Sequence, residues 1–179
     1  MRWLVLLALA GCSTARADDD KLAAGKAAFV KVHEVLLHPR CRNCHPAGDA
    51  PLQYADGRPH GQNITRRSER NGLTCATCHR SKNGLRPGQP PGAPNWHLPP
   101  EQTPMIFEGR TPKQLCEQLK DPKQTNGKDL TGLVEHVAKD PLVSWGWAPG
   151  PGRAPVPVPR DQVVAAMNTW IAAGAPCPD

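Results

Sequence analysis

Two stretches of the chain share one five-residue spacing, Cys41-Arg42-Asn43-Cys44-His45 and Cys75-Ala76-Thr77-Cys78-His79. Two thiols separated by two residues, with an imidazole directly after, form the attachment pattern for a c-type haem. Each thiol adds across one vinyl group of the porphyrin, and two intervening residues let both sulfurs reach the ring from one turn of chain. The histidine then falls beneath the ring as an axial ligand to iron. Cys41, Cys44, Cys75 and Cys78 are therefore expected to hold two haem c groups, with His45 and His79 on the irons. A zinc site built from paired C-x-x-C motifs has a gap of about 15–20 residues; here the gap is longer, and a histidine follows each pair. A thioredoxin-like redox motif calls for a neighbouring βαβ pattern, which the sequence lacks.

The opposite side of each ring needs a ligand or stays open. Five further histidines are available, His33, His38, His60, His97 and His136, together with Met105 and Met167. Met167 falls on the apolar face of a periodic stretch and reads as core. His33 lies off the apolar face of another and reads as solvated, while His38 is only three residues before Cys41 and too constrained to cross the ring. His60 and His136 are the favoured distal ligands, with His97 next and Met105 as the candidate for a His/Met iron. Two imidazoles set a lower potential than His/Met ligation.

The remaining cysteines are Cys12, Cys116 and Cys177. Arg2 followed by the apolar run Trp3 to Ala10 and by Ala15-Arg16-Ala17 reads as a leader with a small-x-small cleavage site. Residues 1–17 are thus set apart from a single domain over 18–179, and the mature chain is expected in the periplasm. Leu9-Ala10-Gly11-Cys12 also resembles a lipoprotein signal, in which Cys12 carries a lipid anchor. In an oxidising compartment Cys116 and Cys177 are expected to pair, the competing reading being two buried thiols.

Four periodic stretches must position these groups. The first runs from about Asp20 to Leu37, with Gly25, Phe29, Val32 and Leu36 on one face. The second opens at Thr111-Pro112, a capping residue before a proline at the first helical position, and ends near Lys120. A third covers about Leu130 to Lys139. A fourth covers about Asp161 to Ala173, with Gly174 as its stop. No strand pair is evident, so the fold class is mostly α. Long segments rich in Pro and Gly separate the helices, notably Arg86 to Pro100 and Pro149 to Pro159. With 21 Pro, 16 Gly and only eight aromatic residues, the chain supplies little core of its own. Loops of that length are unusual in a compact domain unless they enclose something. Two buried porphyrins would give them their order and supply the missing apolar surface.

The terminal stretches resemble those of small single-haem cytochromes c, where a Gly and an aromatic four residues later cross an aromatic-bearing C-terminal helix; Gly25, Phe29 and Trp170 fit that pattern. A wider resemblance covers most of the chain. His38-Pro39-Arg40-Cys41 through His45-Pro46-Ala47-Gly48-Asp49, Cys75 to His79, Trp96-His97-Leu98, Cys116, Lys120-Asp121-Pro122, Trp145-Gly146-Trp147 and Cys177-Pro178 carry it. On these residues the chain resembles small di-haem proteins labelled as an isoquinoline 1-oxidoreductase subunit. The resemblance implies a redox partner, a molybdenum hydroxylase among the possibilities, and no hydroxylase chemistry in this chain.

The expected function is electron transfer between a periplasmic dehydrogenase or hydroxylase and a downstream acceptor, without catalysis. The alternative is a small haem enzyme or ligand sensor with one open iron. Charge adds little. Without Arg2 and Arg16, the 22 basic residues exceed the 16 acidic ones by four, which the propionates of two haems would offset. Arg66, Arg67 and Arg70 read as propionate partners or as a docking rim for an acidic partner, and export argues against nucleic acid.

Overall fold

A computed structural model describes residues 10–179, with side chains from Arg16 onward. Residues 1–9, which hold most of the apolar run of the leader expected over 1–17, and the side chain of Cys12 lie outside the described residues. Seven α-helices and one minimal hairpin make up the described regular structure: α1 (Ala10–Leu36), α2 (Pro39–Arg42), β1 (Leu52–Gln53), β2 (Arg58–Pro59), α3 (Arg66–Arg70), α4 (Pro112–Lys120), α5 (Leu130–Lys139), α6 (Pro141–Ser144) and α7 (Arg160–Ala172). The mostly α class is observed.

The core is the crossing of α1 and α7, with α4 and α5 packed against it. Phe29 of α1 and Trp170 of α7 are fully buried, and their rings meet with centroids 4.8 Å apart. Leu115 and Leu119 of α4, Leu133 of α5, Met167 of α7 and Phe107 complete the main cluster. Removing each such side chain from water contributes about 1.5–3 kcal/mol. Gly25 makes the crossing possible, because a Cβ there would stand 2.5 Å from the Cβ of Ala173 and 2.8 Å from Cγ of Pro176.

Local signals set the helix ends. Thr111 and Gln114 form a reciprocal capping box at α4, with Pro112 in the first turn. Asp129 accepts from the Gly132 amide at 2.7 Å to open α5. Gly174, at φ +86°, ends α7 and lets the Ala175 amide donate back to the Trp170 carbonyl at 2.9 Å. The chain then turns under the core, and Cys177 forms a disulfide with Cys116 of α4, Cα atoms 5.5 Å apart.

Three features differ from expectation. α1 covers Ala10–Leu36 and so extends ahead of the start expected near Asp20, with residues 16–24 exposed along it. α2, α3 and α6 occupy segments that read as loop, because four or five residues are too few to display a period. A hairpin exists after all, pairing Leu52 with Pro59 and Gln53 with Arg58, too short for alternation to be visible.

Candidate functional site

Each C-x-x-C-H segment winds into a single helical turn. In the first, Cys41 lies in α2 and the turn continues through it: Cys44 N–H donates to the Cys41 carbonyl at 3.1 Å and His45 N–H to the Arg42 carbonyl at 2.9 Å. In the second, residues Cys75–Thr77 form a 3-10 turn, and the amides of Cys78 and His79 both donate to the Cys75 carbonyl, at 3.2 and 2.9 Å. Residues three apart on such a turn share a face, so each motif presents its two sulfurs together. All four of these cysteines are free thiols, whereas Cys116 and Cys177 are bonded to each other. Burial pushes the Cys41 thiol up to about 12 and the Cys44 thiol to about 11. Cys75 is raised to about 11, by burial first, then by Glu69 and, in smaller part, by Cys44.

The histidines divide sharply by what their ring nitrogens do. Nδ1 of His45 donates to the Met105 carbonyl at 2.8 Å, and Nδ1 of His79 to the Pro91 carbonyl at 2.8 Å. Nδ1 of His60 donates to the Gly61 carbonyl at 2.8 Å, and Nδ1 of His97 to the Asn95 carbonyl. Nδ1 of His136 faces Oδ2 of Asp140 at 3.2 Å, one turn along at the end of α5. A carbonyl can only accept, so in the first four Nδ1 carries a hydrogen and Nε2 is left without a protein partner. A histidine that binds a metal through Nε2 donates its other nitrogen in this way, which fixes tautomer and ring orientation. His33 and His38 do the opposite. His33 is buried, not solvated, and spends Nε2 on the Arg110 carbonyl at 2.8 Å. Nδ1 of His38 accepts the Arg40 amide at 3.2 Å as the cap of α2.

Among the five, the structure forms one ring pair directly. His60 and His79 have centroids 6.0 Å apart, with planes inclined by 60°. His79 and His60 would be the pair of residues to hold one iron between them. On the first motif, the charges of His136 and His97 both bear on His45, whose pKa falls to about 4, chiefly through burial. His136 is half-buried on α5 and its pKa is also lowered by burial; His97 is exposed in a loop. Met105 stands behind His45, its carbonyl on Nδ1, and packs against the main core. Met167 is core, as expected. Among the described residues no three His, Cys, Asp or Glu side chains converge to hold an ion.

Aromatic rings brace both motif histidines. Phe107 stacks on His45 at 3.9 Å and 14°, and Trp96 stacks on His79 at 4.5 Å and 5°. Trp145 meets Trp96 edge-on at 5.1 Å and carries the Arg40 guanidinium over its own ring at 5.3 Å. The loop after the second motif is tied down by Asn83, whose Oδ1 accepts from the Gly92 amide and from Trp145 Nε1, and whose Nδ2 donates to the Ala148 carbonyl. Gly92 has no room for a Cβ, which would stand 2.2 Å from the Lys82 carbonyl oxygen and 2.6 Å from that of Arg80. Sequence reasoning missed these supports. The backbone acceptors of Met105 and Pro91 leave no trace in residue type, and Gly92 sits among glycines that look alike.

The arrangement suits a porphyrin. Arg66 is almost wholly buried, with Nη1 on the Gly48 carbonyl at 2.5 Å and Nε on the Pro99 carbonyl at 3.2 Å, yet its Nη2 has no partner. Nε of Arg40, beside Cys41, is likewise buried and unpaired. Buried donors of this kind call for acceptors, and propionates are such acceptors. Arg67 and Arg70, by contrast, are committed to Glu101 at 3.1 and 2.5 Å.

Comparison with models of known protein families, with curated proteins and with solved structures finds no match.

Proposed function

We propose that this chain is an exported carrier of two covalent c-type haems that passes electrons between redox proteins. The observation that carries the reading is the shared habit of the histidines. Both motif histidines, and all three favoured partners, commit Nδ1 to an oxygen and leave Nε2 free. Cys41 and Cys44 would hold one haem with His45 and His136 as axial ligands. Cys75 and Cys78 would hold the other with His79 and His60. Each haem would supply a one-electron iron couple. The protein supplies imidazoles with Nε2 free, buried braces behind the motif histidines and cations for the propionates. The Pro- and Gly-rich loops take their order from enclosing the rings, in keeping with the resemblance to di-haem proteins that serve a hydroxylase.

Nothing in this reading needs a membrane span, and no described helix is long and apolar enough to be one. A lipid on Cys12 remains part of the proposal for the exported chain. The test is covalent stoichiometry. After expression with working cytochrome c maturation, denaturation and solvent extraction should leave two haems on the polypeptide, because thioethers do not dissociate. One haem, or none, refutes the proposal. The reduced native protein should also be low-spin and unreactive to carbon monoxide; ready binding would assign the chain to the ligand-binding alternative.

A further inference from the structure

The two motifs are placed unequally. Cys41 packs against both hydrophobic clusters of the molecule, while no residue from 71 to 90 belongs to either. Cys78 is exposed, and so are most residues around it. The second motif is therefore at the rim, where a redox partner has the shorter approach.

The loop that follows this motif carries charge of one sign, while Glu69, which bears on Cys75, precedes the motif in the chain. From Asn71 to Pro100 the chain contains no Asp or Glu, yet Arg80, Lys82 and Arg86 follow His79 closely and are exposed. None of the three takes part in an ion pair among the described residues, whose pairs are made by Lys26, Arg58, Arg66, Arg67, Arg70, His136 and Lys139. The element packed on this loop adds a further cation, since Arg153 donates to the Gln89 and Pro149 carbonyls, and its charge reaches His79. The loop is held in shape by Asn83 and by the close approach at Gly92, so the cations have fixed places. Leu85, between Lys82 and Arg86, is 93 % exposed. The rim expected at Arg66, Arg67 and Arg70 is not available, because one is buried and two are paired with Glu101.

Resting on the carrier reading, the geometry points to Arg80, Lys82 and Arg86 as the docking surface for an acidic redox protein, which exchanges electrons at the second motif and not the first. Opposite charge around the site of exchange speeds encounter and is screened by salt. Neither an anionic lipid surface nor a nucleic acid explains why the strip follows directly on a redox motif.

The test uses the full haem-loaded protein and two small reagents of opposite charge. Reduced protein is mixed with hexacyanoferrate(III), which takes one electron and becomes hexacyanoferrate(II), or with cationic tris(phenanthroline)cobalt(III), which becomes the cobalt(II) complex. The rim variant combines Arg80→Glu, Lys82→Glu and Arg86→Glu. A control variant makes the same change of net charge on distant exposed lysines, Lys21→Glu, Lys113→Glu and Lys123→Glu. The rim variant should react with hexacyanoferrate(III) about tenfold more slowly and with the cobalt reagent faster, and the salt dependence of both rates should weaken. The control should change little. Haem content is measured first, so a chain with two haems and no rim effect overturns the docking surface while leaving the carrier reading intact. Equal effects in both variants overturn it as well, as does a rim effect confined to sedimentation with phosphatidylglycerol vesicles.

Discussion

A histidine has two nitrogens, and which of them the protein occupies decides what the other can do. His33 and His38 are as near to the first motif in sequence as any candidate, yet both use a ring nitrogen to finish a helix or a loop. His60, His79, His45 and His97 each anchor Nδ1 on a carbonyl and His136 on Asp140, so five rings are held with Nε2 free. His60→Ala and His136→Ala should each turn one haem high-spin and open it to carbon monoxide, read from the optical spectrum of the reduced protein. His97→Ala should leave both low-spin. If His97→Ala alone changes the spectrum, the assignment across the first motif moves from α5 to the loop.

Elements meet at two glycines where a side chain has no space. At Gly25 the obstruction would be Ala173 and Pro176, so Gly25→Ala forces α1 and α7 apart. Overpacking of this kind costs about 1–3 kcal/mol, which chemical denaturation would register as a lower midpoint at unchanged slope. At Gly92 the obstruction is backbone, the carbonyls of Lys82 and Arg80, and it cannot rotate away. The residue before it, Pro91, holds Nδ1 of His79. Gly92→Ala should displace that carbonyl and weaken the ring as a donor to iron. A redox titration should then show the potential of one haem rising and the other staying put.

The whole chain is closed by the Cys116–Cys177 disulfide, across a sequence separation of 61. A link of that span restricts the unfolded chain by about 4 kcal/mol in the chain-entropy model. Cys177→Ser should lower unfolding stability by about 2–4 kcal/mol, with the haem spectrum retained, since neither bonded cysteine belongs to a C-x-x-C-H segment. The pairing also accounts for the free state of the other four described cysteines: the bonded pair is fixed by the fold, leaving each motif its two thiols. At the amino terminus, sequencing of the mature protein should find either Asp18 or a lipid-modified Cys12 first, and Cys12→Ser should release any membrane-bound fraction.

Residue type and short spacing were enough to mark the two C-x-x-C-H turns and the four longer helices, because those features are local. A C-x-x-C-H segment needs one turn of chain, and a period of 3.6 needs about ten residues of one helix. The Thr111 cap, the stop at Gly174 and the 130–139 helix were legible for the same reason. The mate of Cys116 could be named by elimination, but only the fold brings the Cα atoms to 5.5 Å. What stands behind each histidine was not legible at all. The acceptor for His45 is 60 residues away and that for His79 is 12 away, both main-chain oxygens that every residue type carries. The placing of His60 6.0 Å from His79, the burial of His33 and the splitting of Arg66 from Arg67 and Arg70 likewise depend on where loops return. A sequence records which groups exist; the path of the chain decides which nitrogen or cation is left free.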